Sequence, residues 1–157
     1  MSGALRILSL VVLLLGAVAL VACGGADERE ANNTYVRQLN AAQQEFATSA
    51  STVSQRKSAA SLGEYRRTLR RFEDAIARFT TKLRSIKVPA AVQKEHEQLT
   101  AAITGFGADF EKVTAALNNP NARTLSEAQS GIMAATQRAN TRIEAAAAAI
   151  DSKLRAT

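Results

Sequence analysis

Cysteine occurs once, at Cys23, so the chain can form no internal disulfide and carries no Cys-x-x-Cys or Cys-x-x-Cys-His pattern for a redox, metal or haem site. Histidine also occurs once, at His96, which leaves a single imidazole for any catalytic or ligand role. Tryptophan is absent, aromatic residues make up 4% of the chain, and the only prolines are Pro89 and Pro120. No glycine-rich phosphate loop, nucleophile elbow or paired acid–base carboxylates emerge from the spacing. A di-iron helical bundle needs Glu-x-x-His pairs, and the residue three before His96 is Gln93. The expectation is a protein that is not an enzyme and needs no cofactor, with His96 as the one weak metal candidate. His96 with Met133 is a conceivable pair of haem axial ligands, without a pocket of recognisable composition around them.

Long apolar runs are confined to the start. Arg6 precedes Ile7 to Ala19, an almost unbroken apolar stretch, and small residues then lead into Cys23. A single cation, an apolar core and a small-residue exit form the layout of a secretory signal. Leu20-Val21-Ala22-Cys23 resembles the lipobox of bacterial lipoproteins at all four positions. That resemblance implies diacylglyceryl transfer to the Cys23 thiol, cleavage between Ala22 and Cys23, and a cell-membrane, lipid-anchored location on the extracytoplasmic face. Two or more acyl chains anchor stably where one is marginal. The alternative is an uncleaved spanning helix, since Leu5 to Ala22 approaches the length needed to cross a bilayer. Such a helix needs neither the cysteine nor the Leu-Val-Ala approach to it. The expected organisation is therefore a signal peptide over 1–22, a lipidated cysteine and a tether over 23–33 that can turn helical partway, and one helical domain over 34–157.

Charge is uneven. The net charge of +6 falls to +5 when Arg6 leaves with the signal, and most of the excess lies between residues 56 and 87. Ten cations there, among them Arg56 and Lys57, stand against Glu64, Glu73 and Asp74. Abundant alanine, few aromatics and prolines only at breaks favour helix throughout. Tyr35, Leu39, Ala42, Phe46, Ala50 and Val53 step by three and four along a first helix. Ser61-Leu62-Gly63-Glu64 fits a capping box that opens a second.

The second helix carries Leu62, Tyr65, Leu69, Phe72, Ile76, Phe79, Leu83 and Ile86 as an unbroken heptad seam, which closes at Val88-Pro89. The third repeats the pattern with Val92, His96, Leu99, Ile103, Phe106, Phe110, Val113 and Leu117. After Asn118-Asn119-Pro120-Asn121, a fourth helix is expected from a capping box at Thr124–Glu127, with a narrow alanine and isoleucine face. These elements predict an all-α, up-down-up-down antiparallel four-helix bundle. The competing arrangement is a three-helix core with a loosely docked or dimer-forming first helix. Across the central turn, Leu83, Ile86, Pro89, Val92, His96 and Leu99 resemble a ladder in uncharacterised secreted and lipoprotein helical bundles of actinobacteria, a likeness that implies no activity.

Three features stand out as candidate sites. Arg67, Arg70, Arg71, Arg78 and Arg84 fall outside the seam of the second helix and form a possible anion-binding face. Asp74 lies four residues from both Arg70 and Arg78, a spacing that offsets part of this charge. His96 occupies a seam position near a bundle end, where a packed, partly wet ring is the structural alternative to a ligand. Gly105 and Gly107 interrupt the third helix at a cost of roughly 1 kcal/mol each relative to alanine, for close packing against the fourth helix or for a ligand. Asn32-Asn33-Thr34 matches a glycosylation acceptor by chance. The partners implied are the membrane through the lipid, a protein docked on the bundle, or anionic lipid or cell-wall polymer on the arginines. Nucleic acid is a poor partner, because no aromatic residues interleave the arginines for base stacking. The leading expectation is a non-catalytic, membrane-anchored interaction or structural module; an anionic-surface module and a small-ligand or metal-binding bundle are its rivals.

Overall fold

The computed structural model describes residues 25–54, 61–118 and 121–156. Ala22, Cys23, Arg56, Lys57 and Pro120 lie outside the described residues. Those described form four α-helices and no strand. Helix α1 spans Ala26–Ser54 and α2 spans Leu62–Ser85. A single 3-10 turn, Ala90–Val92, leads into α3 over Gln93–Ala115. A second such turn, Ala116–Asn118, follows α3, and α4 spans Ala122–Ala156.

The helix ends follow local chemistry. Ser61 is extended and its hydroxyl accepts the Glu64 N–H at 3.2 Å, so the expected cap of α2 is in place. The helix stops at Ser85, before Val88-Pro89, with Ile86 in an extended conformation and its N–H donating to the Leu83 carbonyl. Lys82 and Arg84 sit in the last turn, where cations complement the helix dipole. Helix α4 begins one turn earlier than the Thr124–Glu127 box implies. The Thr124 N–H donates to Asn121 Oδ1 at 2.8 Å and the Asn121 N–H donates to Thr124 Oγ1 at 2.7 Å, a reciprocal cap. Glu127 instead pairs with Arg123 at 2.7 Å, one turn along the helix surface.

The largest departure is at the start of α1. Residues 26–33, read from composition as a tether, are its first two turns, with Asp27 and Glu28 placed favourably in the first. Asn32 is only 4% exposed, which takes the chance acceptor Asn32-Asn33-Thr34 out of reach of any modifying enzyme.

Packing joins α1 to α2, α2 to α3, and α3 to α4, the last pair most extensively. One continuous core results, and every described bulky member of the four apolar faces is buried or half-buried except Leu62, at 37% exposure. Phe46 stacks on Phe79 with centroids 4.9 Å apart, while Phe72 meets Phe110 at 5.1 Å and Phe106 at 6.2 Å. These contacts bring α1, α2 and α3 together through few but large side chains. Helix α4 contributes Ala128, Ala135, Ala139 and Ala146 between Ile132, Ile143 and Ile150, a small face that permits close approach. A Cβ at Gly131 would lie 2.8 Å from Val113 Cγ2, so α3 and α4 meet there almost backbone to side chain.

Polar pairs fix the register. Lys82 meets Glu45 at 3.3 Å and the Lys87 N–H donates to Gln38 Oε1, linking α2 and its exit to α1. Thr114 hydrogen-bonds Glu73, and Arg84 reaches Thr104 Oγ1 at 3.4 Å, linking α3 to α2. Arg138 meets Asp109 at 2.8 Å and Lys153 meets Glu95 at 3.6 Å, linking α4 to α3. No helix among the described residues is long and apolar enough to cross a membrane.

Candidate functional site

Arg67, Arg71, Asp74 and Arg78 follow one another at four-, three- and four-residue steps along α2, so these four lie on the side opposite the buried seam, while Arg70, one position off that line, borders a hollow between α2 and α3 with Glu73 and Glu111. Each is exposed. Among the described residues none of Arg67, Arg70, Arg71 and Arg78 has a carboxylate within ion-pair distance, and Asp74 has no cation within it. The offset expected between Asp74 and its neighbours at positions 70 and 78 is therefore long-range only. Four guanidinium groups remain available to an external anion.

Arg84 does not share this face. One position off the 67–71–74–78 line, it is turned by about 100° around the helix toward α3, where its Nη2 donates to Thr104 Oγ1. Arg66, which the sequence pattern did not single out, is half-buried where α2 meets α3 and borders a hollow of about 190 Å³ with Glu73 and Glu111.

His96 is 5% exposed, drier than a ring near a bundle end was expected to be. Its Nε2 lies 2.9 Å from the Leu83 carbonyl and its Nδ1 lies 3.1 Å from the Tyr35 hydroxyl. A carbonyl only accepts, so Nε2 carries the proton, and Nδ1 of the neutral ring accepts from the Tyr35 O–H. The two rings meet edge to face with centroids 5.6 Å apart. Burial pushes the His96 pKa down, against smaller upward pulls from the Leu83 carbonyl and the Glu97 charge, and burial pushes the Tyr35 hydroxyl up.

Both ring nitrogens thus serve to tie α1, α2 and α3 together, and the one basic lone pair, on Nδ1, is taken by the Tyr35 O–H. Met133 is exposed on α4, two residues beyond the Gly131–Val113 contact. Val113 is seventeen residues from His96 along α3, about 25 Å at 1.5 Å per residue, which separates the two residues too far to share a haem. No group of three or more His, Cys, Asp or Glu side chains poised for a metal occurs among the described residues. Glu95, beside His96 on α3, is 8% exposed and held by Lys153.

The two glycines of α3 differ. A Cβ at Gly107 would come 3.1 Å from Ile76 Cγ2, so the close approach is to α2 and not to α4. At Gly105 the nearest atom would be Arg142 Nη1 at 3.8 Å, an ordinary contact. Gly105 instead borders an open groove of about 670 Å³ along the outer side of α3, whose far end is marked by Glu97. Neither this groove nor Arg142 carries a signal in the sequence: the groove forms where residues 84–88 fold against 96–105, and Arg142 comes from α4, 37 residues beyond Gly105.

Comparison with protein-family models, with curated proteins and with solved structures gave no match.

Proposed function

We propose that the chain is a lipid-anchored, non-catalytic helical bundle that engages an anionic surface through Arg67, Arg70, Arg71 and Arg78. The observation that carries this reading is the exposure of four guanidinium groups along α2, those of Arg67, Arg71 and Arg78 on one line and that of Arg70 beside it, none with an ion-pair partner among the described residues. Each cation held against an anionic surface contributes roughly 1 kcal/mol, so four arginines against one aspartate contribute about 3 kcal/mol. That is on the order of a hundredfold in affinity. The competing reading, a protein-docking module, rests on an apolar patch. The large apolar side chains exposed among the described residues are Leu62 and Met133, on different helices, and isolated apolar residues are ordinary on a soluble surface.

The anchor is assigned to Cys23, on the extracytoplasmic face of the cell membrane, from the Leu20-Val21-Ala22-Cys23 lipobox. The arrangement of the helices is taken as up-down-up-down and antiparallel. What supports it is the order of the paired residues: Gln38 and Glu45 meet Lys87 and Lys82, Glu73 and Arg84 meet Thr114 and Thr104, and Glu95 and Asp109 meet Lys153 and Arg138. In each helix pair one set of numbers rises as the other falls.

Geometry bears on which anion is met. Phe46 stacks on Phe79, so Arg78 sits some twenty residues along α1 from Ala26, about 30 Å at 1.5 Å per residue. The Debye length at physiological salt is about 8 Å. A bundle standing upright on its lipid therefore offers the arginines to wall polymer and not to the headgroups around the anchor. It reaches those headgroups only by lying along the bilayer.

The test is co-sedimentation of the full-length protein with isolated cell-wall polymer, and separately with phosphatidylglycerol or phosphatidylcholine vesicles, against the variant Arg67→Gln/Arg70→Gln/Arg71→Gln/Arg78→Gln. Capture by an anionic phase that the variant loses is the expected result. Equal capture of both proteins would remove the basis for the reading.

A further inference from the structure

The connections between helices differ in chemistry. Those over 55–60 and 118–121 read Gln-Arg-Lys-Ser-Ala-Ala and Asn-Asn-Pro-Asn, whereas the one between α2 and α3 runs Val-Pro-Ala-Ala-Val over 88–92, without a polar side chain. Turns that face water draw on glycine, asparagine, aspartate and serine. Here Val88, Pro89 and Ala91 are half-buried and Ala90 is exposed, so the tip of the turn is apolar and only partly covered by the chain. Lys87 and Lys94 bracket it, both exposed, and among the described residues neither ammonium has a carboxylate within ion-pair distance.

The turn lies at the end of the bundle from which the chain leads back to Cys23. Tyr35 and His96 share a hydrogen bond and so mark one level on α1 and α3, which run the same way when neighbouring helices are antiparallel. From Tyr35, α1 continues back to Ala26, about 14 Å at 1.5 Å per residue. From His96 the chain takes α-helical steps back to Gln93 and then 3-10 steps of about 2 Å to Ala90, about 11 Å in all. Ala26 and Ala90 therefore stand within roughly 3 Å of one level. Helix α4 ends at the same place, because Lys153 meets Glu95 and Ala156 is less than a turn further on. Cys23 precedes Ala26 by three residues, a reach of about 11 Å at most.

We propose that this end of the bundle seats on the bilayer, with Val88, Pro89, Ala90 and Ala91 in the headgroup layer, so that the bundle stands on its lipid with the α2 arginines held away from the membrane. This seating rests on the lipid anchor at Cys23 and the antiparallel arrangement proposed above, and adds to them the surface that meets the membrane. Acyl chains in the bilayer hold Cys23 at the interface, and the short reach to Ala26 brings the apolar tip of the turn to the headgroups. The stems of Lys87 and Lys94 lie along the apolar tip while their ammonium groups stay at the level of the phosphates. Residues 26–30, 86–95 and 151–156 together hold five cations and five acids, Asp27, Glu28 and Glu30 among the acids, so this end carries no net charge. It seats on zwitterionic lipid as well as on anionic lipid, which sets it apart from the arginine face of α2.

The test is spin-label depth measurement on the full-length lipidated protein in phosphatidylcholine vesicles, with one cysteine introduced at a time as Ala90→Cys, Lys94→Cys, Asp74→Cys or Ser126→Cys, all at exposed positions. Acylation caps the Cys23 thiol, so the introduced cysteine is the one that takes the label. The ratio of oxygen to nickel collision rates is expected to be several-fold higher at 90 than at 74, on the arginine face, or at 126, near the start of α4, with 94 in between. All four positions read as in water when Cys23→Ser removes the anchor. A water-like label at 90 in protein that carries its lipid overturns the seating alone, and so does a label that enters the bilayer at 74, which shows the bundle lying on its arginine face. A Cys23 thiol that takes the label, or protein that leaves the vesicles, overturns the anchor and the seating with it.

Discussion

Alanine placed at each of three helical glycines has a different consequence for each, and the order follows from distance alone. In an isolated helix every Gly→Ala change gains about 1 kcal/mol. At Gly105 the new methyl meets only Arg142 Nη1 at 3.8 Å, so the full gain of about 1 kcal/mol is expected. At Gly107 it comes 3.1 Å from Ile76 Cγ2, a contact that requires the neighbour to give by a few tenths of an ångström, and gain and cost nearly cancel. At Gly131 it lies 2.8 Å from Val113 Cγ2 and 3.5 Å from Cγ1. Val113 is β-branched and confined to one rotamer in a helix, so it cannot turn aside. Overpacking of this kind costs typically 1–3 kcal/mol, which outweighs the helix gain and leaves a net loss of about 1 kcal/mol. Urea unfolding followed by circular dichroism should therefore rank the variants Gly105→Ala, Gly107→Ala, Gly131→Ala, with about 2 kcal/mol between the ends. Adding Val113→Ala to Gly131→Ala removes the clash, so the double variant should be more stable than the sum of the two single effects. Equal stabilisation by Gly105→Ala and Gly131→Ala would refute the close approach of α3 and α4.

The buried imidazole makes stability depend on pH in a defined direction. Burial holds the folded-state pKa of His96 below 6.5, so as pH falls through 6.5 the unfolded chain takes up a proton that the folded chain refuses. Stability is level above neutral pH and declines toward acid by at most about 1.4 kcal/mol per pH unit, until the folded-state pKa is reached. His96→Gln should flatten that slope between pH 6.5 and 5 in urea titrations, and an unchanged slope would mean that His96 is not its source. Asp109 works in a lower window, because Arg138 holds its carboxyl below 3.8 and its contribution is lost only as pH falls beyond that. Replacing Tyr35 with phenylalanine strands Nδ1 of His96 as a buried acceptor and should cost about 1–3 kcal/mol in the same assay. Asn121→Ala removes the reciprocal cap of α4 and should cost about 1 kcal/mol, whereas the same substitution would be neutral if the helix began where the Thr124–Glu127 pattern places it.

What the sequence made legible was the set of large apolar residues. The seams of α2 and α3 are read directly because leucine, isoleucine and phenylalanine recur at steps of three and four, and both are buried or half-buried apart from Leu62 at the start of α2. The start of α1 was hidden because Ala26 to Asn33 has no bulky apolar residue, and its inward-facing member, Asn32, is polar. Two overlapping cap patterns compete at the start of α4. Asparagine at 121 prevails, since its side chain accepts from the Thr124 N–H while its own N–H donates to the threonine hydroxyl. His96 was visible as a seam residue, but Tyr35, which fixes its tautomer, lies sixty-one residues away. Arg84 was grouped with the other arginines because all of them fall outside the seam, although a one-residue offset turns it toward Thr104. Gly131 looked no different from any other glycine until Val113 was beside it.

The central claim is that four arginines on α2 hold an anionic surface, and a salt titration tests it most directly. Binding of the full-length protein to isolated cell-wall polymer should fall steeply as ionic strength rises and the Debye length shrinks from about 10 Å at 0.1 M toward 3 Å at 1 M. The Arg67→Gln/Arg70→Gln/Arg71→Gln/Arg78→Gln variant should start weaker and show a much shallower decline. Binding that survives molar salt, or that declines identically in the variant, would contradict the account.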